Sequence, residues 1–338
     1  MNNPKITVLM PVYNGEQFIR ESISSILNQS FSDFELLIVN DGSTDNTLNI
    51  ISSIDDKRIR IINNKINLKT AAALSIGIKE SVGEYIARMD CDDISTKDRL
   101  QKQYEFMEKH PKVGICGSWL QIFGDKKEEV WQVPEDPKIV KSMFLFHTAV
   151  YNVFMRKEIF ENEYISYDNQ FKQAAEDYSL YVKVSEYYDI VNLPIVLLYY
   201  RQHSNKVCKL FRDKLEGNSD IIRKELILKL AINPTEKELE LHNSIANWKF
   251  LKDKNFIDDV ELWFSKIINA NNKSKKYDNL ALEQILSEKW NIVCLQSTSL
   301  GMSVWKKFKN SNFDFNFSLG FREDTKFFLK CLLKRESK

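Results

Sequence analysis

The first half of the chain alternates short apolar runs with amphipathic stretches. KITVLM (5–10) is apolar and β-branched and is stopped by Pro11, which predicts a buried strand. From Glu16 onward, Ile19, Ile23, Ile26 and Leu27 recur at helical spacing, so a helix follows. ELLIVN (35–40), ended by Asp41-Gly42, predicts a second buried strand, and Thr47 to Ile54 a second helix. RIRIIN (58–63) reads as a third strand, residues 70–81 as a helix and EYIARM as a fourth strand. Strand and helix in that rhythm predict a parallel sheet covered on both faces. Beyond about residue 208 the pattern changes: IIRKELILKLAI, IANWKFLKDKNF and DVELWFSKII carry helical apolar spacing and no second catalytic motif. The expected organisation is a Rossmann-like α/β domain, mostly parallel in its central sheet, over 1–207, followed by a mainly helical region over 208–338.

Ligands of such sheets collect at the carboxyl ends of the strands. The exits here read PVYNGE (11–16), NDGSTD (40–45) and DCDD (90–93). Taken singly each is an ordinary turn or helix cap, with Ser43 or Thr44 suited to cap the next helix. Three of them on one edge point to a site. If the backbone at DCDD stays extended, Asp90 and Asp92 face one way and Asp93 the other. Two ionised carboxylates so close repel unless a cation lies between them, and Mg²⁺ or Mn²⁺ accepts one or two carboxylates together with substrate phosphates. Asp90 and Asp92 are therefore expected to hold a metal and a diphosphate. Asp93 is expected to steer the turn into a helix capped by Ser95 with Asp98.

Composition narrows the function classes. A length of 338 residues, 43% of them hydrophobic, supplies one large or two modest cores. The net charge of +1 gives no whole-molecule field for nucleic acid. Five cysteines (Cys91, Cys116, Cys208, Cys294, Cys331) are widely spaced without a CxxC, against a disulfide framework or thiolate metal site. The start, MNNPKITVLMP, lacks the apolar core of a signal peptide, and IVNLPIVLLYY falls short of the roughly 18 to 20 residues that span a bilayer. A cytoplasmic location is expected, extending to the inner face of the membrane if the tail binds lipid.

Further chemistry lies downstream. AEDYSLYVKV reads as a helix start bearing Glu176 and Asp177, where the helix dipole keeps a carboxylate ionised as a general base requires. Spacing alone leaves Asp177 equally open to a simple N-cap role. In YRQHS, Arg201 suits a bidentate contact to a diphosphate, with His203 beside it or merely solvated.

Together ITVLMPVYNGEQFIRESISSILNQSF, FELLIVNDGSTDNT, NLKTAAALSIGIKESVGEYIARMDCDD, AEDYSLYVKV and YRQHSNKV resemble the GT-A glycosyltransferases of family 2, over roughly residues 4 to 207. The resemblance implies an inverting, metal-dependent transfer of a sugar from a UDP-sugar to a hydroxyl of a glycan or lipid-linked acceptor, in the setting of bacterial surface polysaccharides such as capsule or lipooligosaccharide. It implies a nucleotide pocket of Pro11, Val12, Tyr13 and Asp41, with Asp41 accepting from the uracil imide. Glu16 and Cys91 join the same donor site, and Asn67 and Arg88 add contacts at the nucleoside end. It equates Asp90 and Asp92 with the DxD motif, places the base at Asp177 beside Glu176, and puts His147 on the acceptor side. The chain departs from the pattern at Lys69, where many members have glycine, and at Ser75, where many have Asn. The QxxRW signature of processive synthases is absent, so single-sugar addition is expected.

Two other classes compete. A haloacid-dehalogenase-type phosphatase also uses DxD at a strand end, but would leave DGSTD and AED unexplained. A silent nucleotide-binding module would not need Asp90, Asp92 and Asp177 together. In the tail TKFFLKCLLKRESK, Lys326, Lys330 and Lys334 share one helical face opposite Phe328, Leu329, Leu332 and Leu333, a pattern that fits either a membrane surface or a helix packed on the body. Aromatic Trp305, Phe308, Phe313, Phe315, Phe317 and Phe321 upstream serve either case.

Overall fold

A computed structural model describes residues 3–125, 127–203, 211–251, 253, 255–311, 313 and 319–335. Cys208, Phe315 and Phe317 lie outside the described residues, as does the side chain of Phe321. The chain divides into two compact units: residues 1–140 with 149–218, and residues 141–148 with 219–338.

The first unit begins as the hydrophobic pattern predicts. Strands β1 (Ile6–Val12), β2 (Phe34–Asn40), β3 (Ile59–Asn63) and β4 (Tyr85–Arg88) alternate with helices α1 (Ile19–Leu27), α2 (Thr47–Ser52) and α3 (Thr70–Glu80). They pair in parallel in the order β3-β2-β1-β4, with Ile6 opposite both Phe34 and Tyr85. Successive residues of β1 serve opposite faces. Ile6, Val8 and Met10 share a core with Ile19, Ile23 and Ile26 of α1. Leu9 faces α3, where a Cβ on Gly77 would lie 2.1 Å from its Cδ1, so the helix packs there only because that residue has no side chain.

The rest of the sheet is mixed. After β5 (Ile94–Ser95) and α4 (Arg99–Lys109) come β6 (Val113–Gly124), β7 (Glu129–Trp131), α5 (Pro137–Met143), β8 (Phe154–Arg156), α6 (Glu176–Val184) and β9 (Asp189–Gln202). The sheet order continues from β4 as β8-β6-β9-β5, with β7 on β6. Strand β8 is antiparallel to β4 and β6, β5 is antiparallel to β9, and β6 runs parallel to β9. The predicted parallel rhythm thus ends at β4.

The second unit is helical: it holds most of α7 (Arg212–Lys229), then α8 (Glu236–Ala246), α9 (Phe256–Ser274), α10 (Asn279–Gln296), α11 (Met302–Asn310) and α12 (Phe321–Leu332). Its core is built on Phe146, Trp263, Phe264 and Trp290, each at most 2% exposed. Residues 141–148, expected with the α/β domain, belong to this unit. Buried polar groups hold them there. His242 donates from Nε2 to the Leu145 carbonyl (2.8 Å) and accepts the Trp263 indole N–H at Nδ1 (3.1 Å), which fixes its tautomer. Arg223 donates to the Phe146 carbonyl at 3.0 Å. Burial holds His242 neutral, its pKa lowered to about 3.

Candidate active site

The exits of β1 and β2 interlock. Beyond β1, the backbone N–H groups of Asn14, Gly15 and Glu16 donate to Ser43 Oγ (2.9 Å), Thr47 Oγ1 (2.8 Å) and Asp45 Oδ2 (3.1 Å), in the loop after β2 and the first residue of α2. That loop returns the bonds: the Thr44 N–H donates to Asn14 Oδ1 (2.8 Å) and the Asn46 N–H to Glu16 Oε2 (2.8 Å). Ser43 and Thr44 are therefore spent on the neighbouring loop, and α2 has Asn46 at its N-cap position with no side-chain cap.

Asp41 is 3% exposed and gathers a third segment. Its Oδ1 accepts from Asn64 Nδ2 (2.8 Å) and the Leu68 N–H (3.0 Å), and its Oδ2 from the Lys69 N–H (2.9 Å). Asn67 Oδ1 shares the Lys69 N–H at 2.9 Å. To meet these acceptors Lys69 adopts φ 77 and ψ 164, a region almost confined to glycine. Among the other expected nucleotide residues, Tyr13 is exposed at the exit, Pro11 lies within β1, and the Val12 side chain is buried in the core. Cys91 packs under the first loop, its Sγ 3.1 Å from where a Gly15 Cβ would sit.

The carboxylates behind β4 differ from the alternation argument. The strand stops at Arg88 and the chain turns through Cys91 and Asp92, so extended geometry does not apply. Asp90, Asp92 and Asp93 each bring one ligand oxygen within 4.8 Å of the others. That spacing fits oxygens around one hard divalent ion, whose metal–oxygen distances run about 2.0–2.6 Å. Asp93 converges with the pair instead of facing away. Its Oδ1 also accepts the Arg201 N–H at 3.0 Å, which ties the turn to the end of β9. Ser95 lies in β5, and the residue at the cap of α4 is Asp98, without a capping bond.

The end of β9 clamps the same turn. Arg201 donates from Nε to the Asp92 carbonyl (2.8 Å) and from Nη2 to Glu21, between the rings of Phe18 and Phe123 at 4.6 and 4.5 Å. His203 Nε2 lies 2.8 Å from Asp92 Oδ2. From below, fully buried Arg99 donates to the Arg88 carbonyl (2.7 Å), its pKa lowered to about 9 by burial.

Arg88 joins the two carboxylate groups. Its guanidinium pairs through Nη1 with Asp177 and through Nη2 with Asp90 at 3.2 Å. Tyr167 donates to the other Asp177 oxygen at 3.3 Å. Expected at the nucleoside end, Arg88 instead bridges the expected metal ligand and the expected base. Asp177 is not an N-cap: α6 begins at Glu176, with Ala175 in the cap position. Ala174 (φ 73) and Ala175 (φ 66) are both left-handed, and Asn218 Nδ2 holds the Ala174 carbonyl at 2.8 Å. Glu176 is 7% exposed, and its Oε2 is buried without a hydrogen bond. Burial first, and Asp177 second, push its pKa up to about 7. The two adjacent carboxyls thus sit in different surroundings, Glu176 buried with an unpartnered oxygen and Asp177 paired with Arg88.

His147 lies in the helical unit. Its Nδ1–H donates to the Thr148 carbonyl (2.9 Å) and its Nε2 accepts from Lys289 (2.9 Å), and burial together with Lys289 lowers its pKa to about 4. Sequence reasoning missed Tyr167, Arg99, Phe18 and Glu21. None carries a local motif, and all four reach the site through the fold.

A parallel β3-β2-β1-β4 sheet carrying an aspartate cluster at the β4 exit, continued by a mixed half and a helical region, defines a GT-A glycosyltransferase. Its likeness to solved structures agrees: residues 1–349 of TarS from S. aureus, in complex with UDP-GlcNAc, superpose with a TM-score of 0.57 at 17% identity, covering 92% of this chain and 88% of that one. A mannosyltransferase from Pyrobaculum calidifontis, in complex with GDP-Man and Mn²⁺, gives 0.52 at 13% identity, with 99% and 87% covered. Residues 7–166 match the model of glycosyl transferase family 2. An uncharacterized glycosyltransferase of Haemophilus influenzae is 32% identical over 259 residues, which cover 72% of this chain and 80% of the relative. The chain belongs to glycosyl transferase family 2 and is a glycosyltransferase.

Proposed function

We propose that this enzyme transfers one sugar per encounter from a UDP-sugar to a hydroxyl of a glycan or lipid-linked saccharide, with inversion at the anomeric carbon. The observation that carries the reading is the Arg88 bridge, which holds Asp177 and Asp90 in one constellation. Inversion in a single displacement needs one base for the acceptor hydroxyl and no protein nucleophile. Asp177 is suited to that base: Arg88 and Tyr167 hold its carboxylate in place, and it is partly exposed. Glu176, buried beside it with its pKa raised to about 7 and one carboxyl oxygen unpartnered, stands at the helix start. Asp90 and Asp92, with Asp93 behind them, would hold Mn²⁺ or Mg²⁺, which when bound stabilises the departing diphosphate as a Lewis acid.

The nucleoside falls to the interlocked loops after β1 and β2. A carboxylate accepts about four hydrogen bonds, and Asp41 has three from protein, leaving capacity for an imide N–H. Tyr13, exposed beside it, offers a ring face for a base. TarS with UDP-GlcNAc supports a UDP donor, and the GDP-Man complex of the Pyrobaculum enzyme makes GDP-mannose the comparison to run. The family resemblance favours bacterial surface polysaccharide as the setting.

The test is release of nucleoside diphosphate from UDP-glucose, UDP-galactose, UDP-N-acetylglucosamine, UDP-N-acetylgalactosamine and GDP-mannose, with Mn²⁺ and with chelator. Metal-dependent release from one UDP-sugar is expected. Release from GDP-mannose alone would overturn the donor assignment, and chelator-insensitive release the metal assignment. Hydrolysis of a phosphomonoester, or nucleotide binding without turnover on any acceptor, would overturn the transfer reading.

A further inference from the structure

The last helix turns its leucines outward. In α12 the side chains of Phe327 (3% exposed) and Cys331 (0%) face the protein, while Leu329 (46%), Leu332 (52%) and Leu333 (57%) face solvent. The sequence pattern left a second possibility, in which all the leucines pack on the body; the structure buries a different stripe. Nor is the exposure that of a loose tail. Phe327 meets Phe308 edge-on at 5.1 Å, Phe328 meets Trp305 at 5.2 Å, Lys309 pairs with Asp324 at 2.8 Å, and Thr298 Oγ1 bonds the Arg335 carbonyl. The leucine face is therefore held in place on a braced helix.

Its surroundings are basic. Arg322 and Lys326 are exposed two turns before Leu329 and Leu333 respectively, Lys330 flanks them, and Lys334 and Arg335 follow directly. Residues 302–338 carry nine Lys and Arg against four Asp and Glu, a net +5 in a chain whose total is only +1. Three contiguous leucines ringed by long cationic side chains match the boundary of an anionic bilayer, where leucines enter the acyl region and lysines reach the headgroups. Among the described residues no helix is long and apolar enough to cross a membrane, so the contact would lie along the surface.

We propose that α12 docks the enzyme on anionic phospholipid through Leu329, Leu332 and Leu333, with Lys326, Lys330, Lys334 and Arg335 supplying the electrostatic attraction. A surface of this kind would bring the enzyme to an acceptor anchored in the same membrane. The docking stands on α12 alone and does not depend on the identity of the donor.

The test is flotation of the full chain with vesicles of phosphatidylcholine, with and without 30 mol% phosphatidylglycerol, at roughly 0.1 and 0.5 M salt. Binding to the anionic vesicles is expected, weakened at high salt. L329S/L332S/L333S should lower the partition coefficient by about two orders of magnitude, each leucine being already half-buried. K326E/K330E should lower it by tenfold or more. Because the three leucines are solvent-facing, the leucine variant should keep the wild-type circular dichroism and nucleotide-release rate. No flotation of the wild type, or flotation unchanged in the leucine variant, would overturn the proposal. So would a concentration-dependent dimer in sedimentation velocity that the leucine variant abolishes while vesicle binding is absent, since the patch would then be covered by a second copy.

Discussion

Replacing Lys69 by glycine should stabilise the protein. With φ 77 and ψ 164, Lys69 sits where a Cβ is poorly tolerated, and residues held there carry a cost of about 1–3 kcal/mol. Glycine removes that cost but adds about 0.5–1 kcal/mol of chain entropy to the unfolded state. The contacts that impose the conformation come from the Lys69 backbone N–H to Asp41 Oδ2 and Asn67 Oδ1, both 2.9 Å, and survive the substitution. The side chain is exposed. The net expectation is about 1 kcal/mol of added stability, a rise of roughly 2–4 °C in the melting temperature of the α/β unit. Thermal unfolding followed by circular dichroism measures it. The decisive control is Lys69→Ala, which removes the same charge and stem but keeps the Cβ. If alanine and glycine raise the melting temperature equally, or if glycine lowers it, strain at this position is not what holds stability down. The result also bears on the donor site, because the strain follows from Asp41 collecting the Leu68 and Lys69 amides beside the nucleotide loops.

Three further outcomes follow from the site. Asp177→Asn should lower transfer by about 10²–10⁴ while donor affinity, measured by calorimetry, changes far less, and an equal loss in both would refute the base assignment. Asp92→Asn should weaken Mn²⁺ binding at least about tenfold by titration calorimetry, and an unchanged affinity would remove the carboxylate turn as the metal site. Glu176 is raised in the folded state to about 7 from an ordinary 4.5, so the folded protein holds the extra proton between those values. Stability is then highest below about pH 4.5 as far as this group is concerned and declines as pH rises through 7, by about 3 kcal/mol in all. Urea melts of Glu176→Gln should lack that decline, and parallel pH profiles for the variant and the wild type would refute the assignment.

The parallel half of the sheet was legible because β1 and β2 are buried along nearly their whole length and read as unbroken apolar runs. The mixed half was not. Strands β5 and β8 have two and three residues, too few for any period to register. Strand β9 contains Pro194 and pairs with β6 through register irregularities, and nothing local announces a partner so distant in sequence. At the site, the strand exits were found from turn composition, yet Asp93 was sent to the wrong side because alternation assumes a backbone that stays extended. Arg88 stood next to the motif, but its bridge to Asp177 spans 89 positions and exists only once α6 is placed. Spacing left the N-cap role of Asp177 open because the left-handed turn before α6 is made by Ala174 and Ala175, residues that give no sign of positive φ in a sequence.

The charges of the site explain why these irregularities are kept. Asp90, Asp92 and Asp93 converge, Arg88 serves both Asp90 and Asp177, and Arg201 directs its guanidinium to a carbonyl and to Glu21. Like charges this close are tolerated only in a rigid frame, which the interlocked loops, the Arg99 anchor and the pinned Ala174–Ala175 turn provide. A divalent cation would relieve the repulsion among the three clustered aspartates and loosen the demand of Asp90 on Arg88, leaving that guanidinium to Asp177. On the proposed reading, base and metal ligands are coupled through the Arg88 side chain, so a cation in the carboxylate turn would strengthen the Arg88–Asp177 pair.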